Sequence, residues 1–132
     1  MEQRPLGRSG LKVSVLTLGT MNFGCDWHGV GAIDDETASS LIDLALERGV
    51  TALDTADIYG RGAAEETLGR VLGARRQRLS LATKVLGRMR EGDPSSGGLS
   101  ARHIAQALDE SLRRLRTDRV ELYMPHGWDP AV

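Results

Sequence analysis

Cysteine is nearly absent: Cys25 stands alone among the 132 residues. No disulfide can form within the chain, and a reducing compartment is expected. Long apolar runs are missing as well. None approaches the roughly 18 residues that a membrane-spanning helix requires, and the opening Met1-Glu2-Gln3-Arg4-Pro5 has no apolar stretch of the kind a signal peptide carries. The expectation is a cytoplasmic protein. An excess of one charge is also lacking. The 17 cationic and 18 anionic side chains leave a net charge of −1, which argues against nucleic acid and anionic membrane as partners. Cys25 and His28 are spaced as two ligands could be, but no second pair accompanies them, so no metal site is expected. Lysine is the most informative scarcity. All but two of the 17 cationic side chains are arginine, the exceptions being Lys12 and Lys84. Lys12 lies in a Gly-Leu-Lys-Val turn, where an exposed charge is expected. Lys84 ends an apolar run, where a compact ammonium with an adjustable pKa has a use that arginine cannot fill.

What is present has a clear rhythm. The length suits one domain, residues 1–132. Residues 5–13 alternate turn formers with apolar side chains and predict a short hairpin. Four apolar runs follow, at residues 14–18, 50–53, 79–83 and 120–124. Helical spacing fills the gaps between them. The first stripe is Ala38, Leu41, Ile42, Ala45 and Leu46, with Asp34 or Asp35 as its cap and Gly49 at its end. The second is Ala64, Leu68, Val71 and Leu72. The third is Ala101, Ile104, Ala105, Leu108, Leu112 and Leu115, capped by Ser100, with His103 on the polar side in solvent. Strand and helix alternate, which predicts an α/β fold with a parallel sheet. Gly29 and Gly31 begin a Gly-x-Gly-x-x-Gly pattern, but Asp34 stands where its third glycine belongs. A parallel (β/α) barrel of TIM type, represented by about four β/α units, is therefore favoured over a dinucleotide-binding sheet.

In such barrels the functional side chains sit at the C-terminal ends of strands and in the loops beyond them. Four polar residues occupy those places. Asp54 ends the second run and Tyr59 follows in its loop; Lys84 ends the third run; His126 follows the fourth. Asp57 reads as a turn residue. The set has a chemical logic. A free phenol titrates near 10, and a neighbouring ammonium favours its ionised form. A carboxylate holds the ammonium, and an imidazole orients a carbonyl or relays the proton. Together they make a general acid for carbonyl reduction. The hydride must then come from a nicotinamide cofactor.

The chain also resembles the N-terminal part of the aldo/keto reductases. The similarity runs through Leu18-Gly19-Thr20-Met21-Asn22-Phe23-Gly24, Asp54-Thr55-Ala56-Asp57-Ile58-Tyr59-Gly60 and Glu65-Glu66-x-Leu68-Gly69. It continues through Ala82-Thr83-Lys84-Val85, Gly97-Gly98-Leu99-Ser100, the segment from Ser111 to Asp118, and Leu122-Tyr123-x-x-His126. This resemblance implies NADPH-dependent reduction of an aldehyde or ketone. Tyr59 would be the proton donor, Lys84 its tuning partner, Asp54 the partner of the lysine, and His126 the group orienting the carbonyl. Gly19, Thr20, Met21 and Asp54 would lie against NADP(H), and Trp27 would form part of the substrate wall. Relatives that serve ion channels tend to lack the histidine, so its presence favours reductase activity.

Pro125 departs from this pattern, since an aliphatic residue usually precedes the histidine. Arg119 and Glu121 replace an aromatic residue and an aspartate. The resemblance spans four strands of an eight-stranded barrel, so a truncated half-barrel is expected. Its sheet edges would be open to self-association. A second reading is a catalytically silent half-barrel serving as an interaction module or a gene remnant. A third makes Lys84 a Schiff-base lysine in an aldolase-like barrel.

Overall fold

Each helical stripe is followed within a few residues by a strand, and that spacing sets the architecture. A computed structural model describes residues 1–132. In chain order its elements are β1 (Gln3–Pro5), β2 (Lys12–Ser14), β3 (Thr17–Gly19), α1 (Asp35–Glu47), β4 (Ala52–Asp54), α2 (Ala63–Val71), β5 (Ser80–Val85), α3 (Ala101–Leu115) and β6 (Leu122–Pro125). β1 and β2 form the antiparallel hairpin. β3, β4, β5 and β6 lie side by side in sequence order, every pair parallel. The result is an arc of a (β/α) barrel with a hairpin before it. No helix is long and apolar enough to cross a membrane.

The strands sit later in the chain than the apolar runs suggest, and at β4 and β5 the preceding helical turns use the first residue of the run to close. Val50 still donates its N–H to Ala45 O at 2.8 Å, and Leu79 to Arg76 O at 3.3 Å. The expected strand at 14–18 is displaced furthest. Ser14 closes β2, where its hydroxyl donates to Leu16 O and accepts the N–H groups of Thr51 and Ala52. The strand proper begins at Thr17, and Thr17 and Gly19 are exposed. β5 runs one residue past Lys84, which is therefore an internal strand residue. β6 includes Pro125, paired opposite Val85. His126 donates its N–H to Val85 O at 2.8 Å. Alternate residues of a strand face opposite neighbours, so the missing N–H of Pro125 falls on the outer side of β6, away from β5. A proline is tolerated at such an edge.

Side chains alternate across the sheet. Leu18, Leu53 and Leu81 face the helices. They meet Ala38, Ile42 and Leu46 of α1, Ala64, Leu68 and Leu72 at α2, and Leu115 of α3, with Phe23 beneath. α1 behaves as its sequence predicts. Asp34 Oδ1 accepts the Thr37 N–H at 2.8 Å, and Gly49 leaves the helix in the left-handed region at φ 76°.

α3 overturns its expected face. Its buried residues are His103, Ala107, Ser111 and Leu115, whereas Ala101 and Ala105 are exposed and Ile104, Leu108 and Leu112 half-buried. His103, expected in solvent, is only 7 % exposed. The cause is close helix contact, which selects small side chains over large ones. Ala107 and Ser111 present that narrow surface. Gly69 of α2 lies against the main chain of α3, so that a Cβ added there would collide with the Arg114 carbonyl oxygen. Alanine normally improves on a helical glycine by about 1 kcal/mol. Here the sign reverses: Gly69→Ala is expected to destabilise the fold by about 1–3 kcal/mol, measured as a lowered denaturant midpoint.

Candidate active site

The inner face of the sheet carries Ala52 and Asp54 on β4, Ala82 and Lys84 on β5, and Leu122 and Met124 on β6. Most of these line a shallow groove of about 160 Å³ beneath Leu6 and Val13 of the hairpin. Asp54 and Lys84 are the polar exceptions, and both lie toward the C-terminal ends of their strands. Lys84 Nζ donates to Asp54 Oδ2 at 2.6 Å and to Thr55 O at 2.8 Å. Its third neighbour is the Tyr59 hydroxyl, 3.4 Å away. The ammonium also stands 5.1 Å from the centre of the Tyr59 ring. One short, part-buried cation thus joins the acid and the phenol. The three expected site residues from β4, its loop and β5 come together.

Tyr59 owes its position to a sharp turn. Thr55 donates its N–H to Ala82 O, Asp57 its N–H to Lys84 O, and Tyr59 its N–H to Ala56 O. These bonds pin the segment across the top of β5. Beyond Tyr59 the chain passes through Gly60, Arg61 and Gly62, all at positive φ, before entering α2. A non-glycine residue held there costs about 1–3 kcal/mol and is found where surroundings enforce it. Cys25 packs against the bare Cα of Gly60 and leaves no room for a Cβ, so the first loop braces the turn.

His126 reaches the same place despite Pro125. Its ring meets the Tyr59 ring edge-on, with centroids 5.4 Å apart. Trp27 approaches Tyr59 from the first loop at 5.9 Å, and His28 stacks edgewise on Trp27 at 4.8 Å. Burial holds the His126 pKa below its ordinary value; the Lys84 ammonium adds to this, and the Asp54 charge opposes it. The imidazole is therefore neutral at neutral pH, with one N–H to give.

Of the residues expected beside a cofactor, Gly19, paired with Asp54 across the sheet, and Met21 are exposed. Thr20 is buried instead, and both its N–H and its hydroxyl donate to Asp54 O at 3.0 Å. It fixes the main-chain carbonyl of Asp54 from behind.

Two features escape the sequence. Asp57, read as a turn residue, is 1 % exposed, and neither carboxylate oxygen has a hydrogen-bond partner. Its apolar neighbours Ala56 and Ile58 are a faint sign of this, set beside the polar Asp54 and Thr55. Glu65 of α2 is fully buried, receives the Thr83 hydroxyl at 2.5 Å and pairs with Arg114 Nε at 2.7 Å. Glu121, noted as a departure, is an ion-pair hub that accepts from Arg76, Arg119 and the Leu81 N–H.

The family model for the Aldo/keto reductase family matches residues 15–132. The chain is 43 % identical to the uncharacterized oxidoreductase YrpG of Bacillus subtilis (strain 168), over 98 % of this chain and 41 % of that protein. It is 38 % identical to YqkF, another uncharacterized oxidoreductase of the same organism, over 96 % of this chain and 39 % of the relative. Among solved structures it resembles the holo form of the aldo-keto reductase AKR11C1 from Bacillus halodurans. That match has 40 % identity and a TM-score of 0.81, covering 99 % of this chain and 43 % of that one. The chain thus spans about two fifths of the length of each of these relatives.

Proposed function

Since this chain belongs to the aldo/keto reductase family, whose members act as oxidoreductases on small carbonyl compounds, we propose that it supplies the proton-donating side of an NADPH-dependent carbonyl reductase. The observation that carries this reading is the Lys84 ammonium, set 2.6 Å from Asp54 and 3.4 Å from the Tyr59 hydroxyl. The cofactor's nicotinamide end fits what the chain offers. Gly19 presents bare main chain with no atom within 4 Å of the point a Cβ would occupy, and Met21 and the exposed part of Asp54 flank it. These three residues would hold the ring. Bound NADPH would supply the hydride to the carbonyl carbon.

The chain's own residues handle the proton. Tyr59 Oη gives its proton to the carbonyl oxygen as negative charge builds there. The Lys84 ammonium stabilises the phenolate left behind, and Asp54 and the Thr55 carbonyl fix that ammonium in place. The neutral His126 imidazole donates its N–H to the same carbonyl oxygen and orients it toward Tyr59. Trp27, edge-on to Tyr59, walls one side of the substrate space. Neither the Schiff-base reading of Lys84 nor any other needs this whole set. NADPH oxidation with a panel of aldehydes tests the proposal; no oxidation and no NADPH binding would overturn it.

The open sheet favours a second reading, in which the chain also works through assembly. β3 and β6 each leave one edge unpaired, and Val15 and Leu16 beside β3 are exposed. Unpaired edges pair readily with other strands. Sedimentation of the 132-residue chain is expected to show self-association; a monomer at all concentrations would remove this reading.

A further inference from the structure

Asp57 has no part in the proton transfer described above, yet it lies between the two residues that open it. Its N–H bonds to Lys84 O at 3.2 Å, and Tyr59 follows two residues later. Its carboxyl points to the helix side of the sheet, into a cluster built from every neighbouring element. α2 contributes Glu65, α3 contributes Arg114 and Glu110, β5 contributes Thr83, and β6 contributes Tyr123. Lys84 belongs to the opposite face, committed to Asp54.

Each donor in that cluster is engaged elsewhere. The Thr83 hydroxyl and Arg114 Nε go to Glu65. Arg114 Nη2 goes to Ser111, and Nη1 stands 3.8 Å from Glu110. The Tyr123 hydroxyl goes to Ile104 O at 3.0 Å. Glu65 and Arg114 already balance in charge. An ionised Asp57 would therefore add a second buried carboxylate charge beside Glu65, with Arg114 already paired to Glu65 and only the adjoining Ile58 N–H to offset it, a costly arrangement. Burial and the Glu65 charge push its pKa up to about 7.

We propose that Asp57 is a positioning residue that works as a neutral, protonated carboxyl: in that form it keeps the segment from Thr55 to Tyr59 seated on β5, and its ionisation unseats the segment and Tyr59 with it. Beyond the adjoining Ile58 N–H, a further uncommitted donor for an ionised Asp57 is the Thr55 hydroxyl, two residues back in the same turn and itself buried without a partner. For the two to meet, the turn must change shape, and the bonds of Thr55 and Asp57 to β5 are the ones that strain. The inference rests on the assignment of Tyr59 and Lys84 above, and it adds a second ionisation to the site.

The sign of the pH effect follows from the raised pKa. Folding raises this carboxyl's affinity for a proton, so its contribution to stability is greatest on the acid side and is lost as pH climbs from about 4 to about 7. Carbon-13 NMR of labelled aspartate in the intact protein tests the proposal directly. The expected result is an Asp57 carboxyl midpoint near 7, with the Tyr59 ring resonances moving at the same midpoint. In Asp57→Asn, neutral at every pH, the Tyr59 movement and the fall in thermal midpoint between about pH 4 and about pH 7 should both disappear. Turnover of the wild type should fall about tenfold per pH unit above the same midpoint, and the variant should lose that limb. An Asp57 midpoint at the ordinary carboxylate position near 4, or Tyr59 resonances indifferent to its titration, would overturn the proposal. Neither NMR readout requires turnover. A protein that reduces no carbonyl yet shows both shifts would defeat the reductase reading and leave the coupling of Asp57 to Tyr59 standing.

Discussion

Tyr59→Phe is expected to lower carbonyl reduction by about 10²–10⁴-fold, the range that a positioned general acid contributes. Phenylalanine keeps the ring, so the edge contacts to Trp27 and His126 and the packing of Cys25 on Gly60 should survive. What is lost is the oxygen 3.4 Å from Lys84. The deficit should therefore appear in kcat, with NADPH affinity little changed, because Gly19, Met21 and Asp54 are untouched. Steady-state kinetics on the two proteins, with cofactor affinity measured separately, decides the matter. Turnover that survives the substitution would remove Tyr59 as the acid.

The largest expected loss of stability comes from the other face of the sheet. Arg114→Met should destabilise the fold by about 3–5 kcal/mol, the cost of stranding one member of a buried ion pair. Methionine preserves most of the volume, so the loss is electrostatic. It leaves the fully buried Glu65 beside Asp57 with no cation between them. Equilibrium denaturation measures the effect, which should deepen as pH rises and Asp57 ionises beside Glu65. Adding Glu65→Leu to Arg114→Met should recover much of the loss, since replacing a whole buried pair by apolar groups is often neutral or stabilising. If the double variant is no better than the single, the pair is not the source of the effect.

Much of the architecture can be read from residue order. The alternation of apolar runs with helical stripes gives the parallel sheet, because strands buried on both sides read as continuous apolar runs and helices as periodic ones. Asp54, Tyr59, Lys84 and His126 are legible for a related reason: polar side chains at the ends of apolar runs stand out against the pattern. The arginine bias sharpens Lys84 further. The face of α3 is not legible. Its buried line, His103, Ala107, Ser111 and Leu115, is less apolar than the half-buried line beside it. Small residues were needed where Arg114 O meets Gly69, and pattern reading weighs hydrophobicity over size. Asp57 and Glu65 are hidden for a different reason. A charge in a helix or turn is ordinarily solvated, and only the three-dimensional meeting of α2, α3 and β5 removes their water. Thr20 illustrates the same limit on a smaller scale. Its place beside Asp54 is legible, but the direction of its hydroxyl, inward to a carbonyl, is set by the loop.

Pro125 has an effect beyond its tolerance at the edge of β6. A strand laid against that edge meets a ladder with one rung removed, and a carbonyl arriving opposite the proline ring would find no main-chain donor there. Only a neighbour that turns away, bulges or ends at that level can be accommodated. The edge is thus selective in register: it penalises long, flat, indiscriminate pairing of the sort that leads to fibrillar aggregates, while the level just below, toward Leu122, stays open to an orderly neighbour. One ring in the residue before His126 thereby guards the rim of the site against misassembly.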